Sequence, residues 1–210
     1  MEDAQATDGG LDGTDEFDDS VMAWEITAKG KSARDIGALH EAWAAAHVAR
    51  GAVNKAQDHL DSALEIWSSY DDAALTARTW CLKASCSAEA NDFAAAAGSF
   101  KRAQQFAEEA SDFPLVLCVM VNRAICEIRR GDAKAAASRA RRAFVKAERE
   151  GNYDWLMTTY CVRAASYQMV GNFLAACNEY EAAAKMVSTG LVKQPKPDLM
   201  VAMDTNLGVW

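Results

Sequence analysis

The side chains best suited to metal binding or catalysis in this 210-residue chain are three histidines and six cysteines. His40 and His47 lie seven residues apart, on one face of a predicted helix, and Glu41 follows His40. His59 belongs to the next predicted helix. A metal site needs three or four convergent ligands, and this spacing is not the His-Glu-x-x-His pattern of metalloproteases. We therefore interpret the histidines as ordinary residues of a helical hairpin.

The cysteines form no Cys-x-x-Cys pair, and all of them fall in stretches with a helical pattern: Cys81, Cys86, Cys118, Cys126, Cys161 and Cys177. The acidic N-terminus lacks the basic and then apolar regions of a secretory signal. We therefore predict free, buried thiols rather than disulfides. The chain also lacks a phosphate-binding loop and a nucleophile elbow. We expect no enzyme activity, no metal and no cofactor.

Residues 128–144, IRRGDAKAAASRARRAF, combine an Arg-Gly-Asp tripeptide with several arginines. Helical periodicity places Arg139, Arg142, Lys146 and Arg149, the basic stripe, beside an apolar stripe of alanines and Phe144. The basic stripe is open to interpretation as a solvated face, as a docking site for an acidic segment such as residues 1–19, or as a nucleic-acid-binding surface. Nucleic-acid binding is not favoured, because the stripe is short and no aromatic platform accompanies it.

The net charge of −8 comes entirely from residues 1–19, which hold eight acidic and no basic residues. The rest of the chain is neutral. Low apolar content and many glycines predict a disordered acidic tail over 1–20, followed by a short element over 21–32. No apolar run approaches the roughly 20 residues that span a bilayer. We expect a soluble, cytoplasmic protein with no membrane partner.

A forty-residue repeat organises residues 33–190. Gly51, Asn91, Gly131 and Gly171 share one spacing, and alanines recur seven residues before and five and twelve residues after each of them. Gly and Asn tolerate the positive φ of a helix C-terminus, and small residues let two antiparallel helices approach. The repeat predicts an all-α chain of four hairpins, 33–72, 73–112, 113–152 and 153–190. First helices are predicted near 33–50, 73–90, 114–130 and 154–170, and second helices near 53–69, 93–110, 133–149 and 173–188.

The turn segments GAVNKA, NDFAAA, GDAKAA and GNFLAA, followed by DSAL, KRAQ, RRAF and EAAA, resemble the tetratricopeptide repeat family in a forty-residue variant. The resemblance covers about 33–188 and implies a right-handed superhelix, an α-solenoid, with a concave groove lined by first helices. The family's groove positions correspond to Glu41, Cys81, Leu82, Ser85, Val121, Asn122, Ile125, Arg129, Cys161, Val162 and Met169. Because most are small or apolar, the resemblance implies a groove for an apolar peptide or helix of a partner protein. The alternative is a narrow groove that packs against itself.

Residues 191–210 begin as a linker and continue as LMVAMDTNLGVW, which is typical of one more helix. This helix has few charges, so we expect it to cover the last hairpin, the groove or a second subunit. Asn206-Leu207-Gly208 also resembles part of a further first helix. The sequence as a whole predicts a non-catalytic protein-interaction scaffold or adaptor. The alternative prediction is a sensory or regulatory module of a longer signalling or transcription-regulator protein.

Overall fold

The computed structural model describes residues 31–197 and residue 200. Within them the chain forms eight α-helices and no strand, which confirms the predicted all-α array of hairpins. Each helix lies within one residue of its predicted bounds. The helices are α1 (Ala33–Ala49), α2 (Val53–Tyr70), α3 (Ala73–Glu89), α4 (Phe93–Glu109), α5 (Phe113–Arg129), α6 (Ala133–Arg149), α7 (Tyr153–Met169) and α8 (Phe173–Ser188). The predicted tail over 1–20, most of the element over 21–32 and most of the C-terminal helix lie outside the described residues.

Each helix junction is built from a residue with positive φ followed by a helix-capping residue. The positive-φ residues at the seven junctions are Gly51, Asp71, Asn91, Ser111, Gly131, Gly151 and Gly171, and Gly190 takes the same conformation after α8. From α3 onward, the capping side chain accepts a hydrogen bond from the backbone N–H three residues ahead, as Asp and Asn commonly do. These caps are Asp72, Asp92, Asp112, Asp132, Asn152 and Asn172. The caps therefore recur every twenty residues, once for each helix rather than once for each hairpin.

Successive hairpins stack into an α-solenoid with two layers. Each helix packs against its neighbours in the chain, and the first helices also pack on one another, α1 on α3, α3 on α5 and α5 on α7. We call the solvent-facing surface of α1, α3, α5 and α7 the first-helix face. The second helices α2, α4, α6 and α8 form the other layer.

The alanines of the repeat fill the contacts between helices. All of them are buried: Ala44, Ala56, Ala63, Ala84, Ala96, Ala103, Ala124, Ala136, Ala143, Ala164, Ala176 and Ala183. Larger buried side chains hold one equivalent position, nine residues after the turn, in the first, second and fourth repeats and fill the remaining space: Leu60, Phe100 and Tyr180. The close packing that the small residues allow is what fixes each hairpin as a unit.

The first hairpin is locked to the second by a polar contact in the core. The Trp67 side chain of α2 is 1% exposed and lies against Gly37 of α1. Its indole N–H donates to the Thr79 hydroxyl of α3 at 3.0 Å. Thr79 in turn hydrogen-bonds to the buried carboxylate of Glu41, which also pairs with Arg78. These contacts join three helices, and they satisfy a buried acid that would otherwise be costly.

Candidate functional site

The predicted groove residues fall into a buried set and an accessible set. The buried set supports the packing of the first helices and cannot touch a partner directly: Glu41, Cys81, Val121, Cys161 and Val162. Val121 is only 2% exposed, so a charged residue placed there would test stability rather than binding. The accessible set is Leu82, Ser85, Asn122, Ile125, Arg129 and Met169. A binding surface on this face is therefore limited to that second set.

Part of the accessible set converges on a shallow depression between α3 and α5. Ser85, Asn122, Ile125 and Arg129 line a cavity of about 60 Å³ above the buried Phe100 ring. Arg129 forms a two-pronged ion pair with Glu89 at its rim, with 2.9 Å between Nη2 and Oε2. The pair lowers the pKa of the Glu89 carboxyl through the hydrogen bond from Arg129. The depression is too small for a metabolite but suits one side chain of a bound segment.

Two thiols meet beside this depression. The amide nitrogen Nδ2 of Asn122 lies 3.4 Å from the sulfur of Cys81 on α3 and 3.4 Å from the sulfur of Cys118 on α5. Cys81 is buried, whereas Cys118 is partly accessible. The pairing follows from the stacking of α3 on α5 and not from any local spacing, since the two cysteines are separated by a whole helix.

The structure divides the predicted basic stripe. Arg139 lies against Glu127 of α5 with three N–O contacts of 2.7 to 3.0 Å and is only 16% exposed, so it belongs to the packing. Lys146 lies over the Phe113 ring with its amine 5.0 Å from the centroid. Arg142 and Arg149 are exposed, and none of the ion pairs found in residues 31–197 involves them. The solvated part of the basic stripe is therefore smaller than its sequence suggests.

Arg141, which the stripe pattern missed, lies between two cavities that flank α6. One cavity, of about 620 Å³, is lined by α6 and α7 and includes Phe144, Arg163 and Tyr167. The other, of about 370 Å³, is lined by α4, α5 and α6. The Arg163 guanidinium lies 4.8 Å from the Phe144 ring centroid and pairs with Glu179 at 2.6 Å. Burial raises the pKa of Glu179 against the opposing effect of Arg163.

The three histidines, which lie on two helices, meet in the first hairpin. His40 and His59 approach with 3.0 Å between their Nδ1 atoms, and His47 stacks on His59 with ring centroids 5.3 Å apart. Trp43 packs against the same His59 ring at 5.1 Å. Among the described residues, no group of three or more His, Cys, Asp or Glu side chains is arranged to hold a metal ion. The cluster combines ring packing with the close contact between the Nδ1 atoms of His40 and His59.

Across residues 31–197, no helix is both long and apolar enough to cross a membrane.

All six cysteines are free thiols. The cysteines were predicted to be free and buried, and Cys118 and Cys177 are only partly buried.

The class that the fold defines is an α-solenoid of helical hairpins. No protein-family model and no curated protein sequence matches the chain. Solved structures do match its fold, among them the crystal structure of BtubC (BKLC) from P. vanneervenii, with a TM-score of 0.67 and 18% sequence identity. That match covers 88% of this chain and 78% of BtubC. At this level of identity the likeness concerns the fold alone.

Proposed function

We propose that this chain is a protein-interaction scaffold of the tetratricopeptide type, which binds a helix or extended segment of a partner protein on its first-helix face. A row of exposed apolar side chains carries the proposal. Leu82 of α3, Ile125 of α5 and Met169 of α7 are 38%, 41% and 39% exposed. In the forty-residue register they correspond to positions i, i+3 and i+7 of a first helix, which share one helix face. We call them the apolar row.

The apolar row suits a partner segment better than isolated exposed residues would. Single exposed apolar side chains are common on proteins, but these occur once in each of three stacked hairpins. Because each is displaced further along its helix than the last, the row runs diagonally from the middle of α3 to the end of α7. Burying each side chain against a partner would contribute roughly 1–2 kcal/mol. The ion pair of Glu89 with Arg129 and the Ser85 hydroxyl provide a polar rim.

The described part of the C-terminal segment leaves the apolar row uncovered. Val192 is buried in the last hairpin, and Met200 packs against the same cluster. Lys196 lies over Trp155, with its amine 4.8 Å from the ring centroid. Trp155 is near the start of α7, whereas Met169 ends that helix, about 20 Å away at the rise of an α-helix. The described part of this segment therefore lies against the last hairpin, and association of two chains through the C-terminal helix stays a prediction.

The test compares two variants that add the same charge to different faces. Ile125→Glu alters the apolar row, and Val145→Glu alters an exposed apolar residue on α6 of the second-helix layer. Immobilised wild type and both variants are incubated with lysate, after circular dichroism has shown equal helicity and melting. We expect a partner that the wild type and Val145→Glu retain, and that Ile125→Glu binds about tenfold more weakly or worse.

Equal retention by Ile125→Glu, or loss with both variants, would contradict binding on this face. Failure of the wild type to retain any partner would remove the support for an interaction scaffold.

A partner protein is favoured over nucleic acid because Arg139 is committed to Glu127 and leaves a smaller basic stripe. We also propose a cytoplasmic location, which suits six free thiols. Fractionation of cells that produce the protein would test it.

A further inference from the structure

The thiols of Cys81 on α3 and Cys118 on α5 share one hydrogen-bond donor, the side-chain amide of Asn122. Asn122 Nδ2 is 3.4 Å from both sulfurs, so the sulfurs of Cys81 and Cys118 lie no more than twice that distance apart. Each of the two thiols also shifts the pKa of the other, which places them within interaction distance. Because α3 packs directly on α5, the stacking of the two helices brings both side chains to the Asn122 amide.

The two thiols differ in their readiness to ionise. The hydrogen bond from Cys81 lowers the pKa of the Cys118 thiol, and burial opposes this effect. Lys196 and the Asn122 amide lower it further, while Asp112 raises it. The same Cys81–Cys118 hydrogen bond, together with burial, raises the pKa of Cys81. Cys118 is thus the nucleophile of the pair, since the thiolate is the reactive form.

We propose that Cys81 and Cys118 are a site of reversible oxidation, at which a hydroperoxide converts the two thiols into a disulfide that joins α3 to α5. In the first step the Cys118 thiolate attacks one peroxide oxygen. A sulfur–oxygen bond forms, the oxygen–oxygen bond breaks and, with hydrogen peroxide, hydroxide leaves. Cys118 is oxidised to a sulfenic acid, and the peroxide is reduced.

In the second step Cys81 acts as the resolving thiol. Its sulfur attacks the sulfenic sulfur of Cys118, a sulfur–sulfur bond forms, and the sulfur–oxygen bond breaks. The departing oxygen takes the Cys81 proton and leaves as water. Oxidation of Cys118 removes the thiolate to which Cys81 had donated, so the main cause of the raised pKa of Cys81 disappears at this stage. The product ties together the first helices of two successive hairpins.

The four remaining cysteines are internal controls for the reactivity of Cys118. Burial raises the pKa of Cys86, Cys126 and Cys161, the last to about 12. Their thiols are therefore poorly reactive. Cys177 on α8 is partly accessible, as Cys118 is. Cys177 is therefore the control that separates the effect of solvent exposure on thiol reactivity from the effect of a neighbouring thiol.

The experiment treats the reduced full chain with one equivalent of hydrogen peroxide at neutral pH. Remaining thiols are then blocked with N-ethylmaleimide, and the digest is examined by mass spectrometry. We expect one linked peptide pair containing Cys81 and Cys118, lighter by two hydrogen atoms than the two free peptides, and its disappearance after reduction. The variant Cys177→Ser should give the same product. No link, or a link between other cysteines, would overturn the proposal.

Two substitutions of the resolving thiol separate its two roles. Cys81→Ser keeps a hydroxyl donor but cannot form a disulfide, so peroxide should leave a sulfenic acid on Cys118 that dimedone traps. Cys81→Ala removes the donor, so alkylation of Cys118 at neutral pH should slow by roughly threefold to tenfold. An unchanged rate would refute the pairing. If either variant fails to fold, the wild-type protein still tests the proposal, because its Cys118 must be alkylated faster than its Cys177.

Discussion

Replacing Gly37 with alanine adds one methyl group where α1 lies directly against the Trp67 ring of α2. A Cβ at this position would lie 2.5 Å and 2.6 Å from two carbons of the Trp67 ring. The ring cannot turn away freely, because it is buried and its N–H is hydrogen-bonded to Thr79. Overpacking of a core costs about 1–3 kcal/mol, and the fixed ring favours the upper half of that range. Alanine recovers about 1 kcal/mol of helix propensity, so we expect a net loss of about 1–2 kcal/mol.

Gly98 is the matched control, because it is also inside a helix, α4, but has nothing within 4 Å of an added Cβ. Gly98→Ala should stabilise the chain by about 0.5–1 kcal/mol. The two variants should therefore differ by about 1.5–3 kcal/mol, or roughly 3–12 °C in Tm for a chain of this size. Urea and thermal unfolding followed by helical circular dichroism measure both quantities.

The reasoning is refuted if Gly37→Ala is as stable as Gly98→Ala. A second measurement isolates the contact, since Gly37→Ala should cost less in a Trp67→Phe background, where the ring is smaller. A cost that is independent of the Trp67 substitution would mean that the two residues are not coupled and that the loss arises elsewhere.

Two further predictions concern ion pairs, and urea unfolding measures both. Arg139→Met should destabilise the chain by about 3 kcal/mol, because it leaves the buried Glu127 with only Arg123, 3.7 Å away. The same change at the exposed Arg142 should alter the stability by no more than about 0.5 kcal/mol. Equal effects of the two changes would contradict the division of the basic stripe. Arg129 lowers the pKa of Glu89 in the folded chain, so the stability that this pair adds is present above the unfolded pKa and is lost as pH falls through the lower folded pKa. Wild type should exceed Glu89→Gln in stability by at most about 1 kcal/mol at neutral pH, because both side chains are more than a third exposed. A difference that does not shrink as the pH falls below the ordinary pKa range of a glutamate carboxyl would exclude the pair as its cause.

Much of the fold could be predicted from the sequence because its signals are local. Gly51 and Gly171 mark positions where the backbone takes a positive φ, and the alanines around them recur at the helical period. The sequence reveals a repeat of forty residues rather than twenty, because the turns between hairpins use Asp71, Ser111 and Gly151, which share no residue type. The sequence offers helix-capping residues after these turns, but the positive φ that the three turn residues share became visible only with the backbone geometry.

The candidate site was less predictable, because one helix face can be read from a sequence but the helix opposite it cannot. Periodicity placed Arg139 and Arg142 in one stripe, yet only Arg139 meets Glu127 across the contact between α5 and α6. His59 was assigned to a separate helix, and the folding of the first hairpin brings it against His40. In both cases the deciding partner lies on another helix.

The sequence by itself determined the helices, their bounds, their pairing into hairpins and the small residues between them, because φ preferences, helix caps and the 3.6-residue period act within a few residues. Only the tertiary structure decided which groove positions are buried and which form the apolar row. It also decided that Cys81 and Cys118 share the Asn122 amide. These contacts join hairpins, and the stacking of whole hairpins depends on the combined packing of many side chains, which no single stretch of sequence specifies.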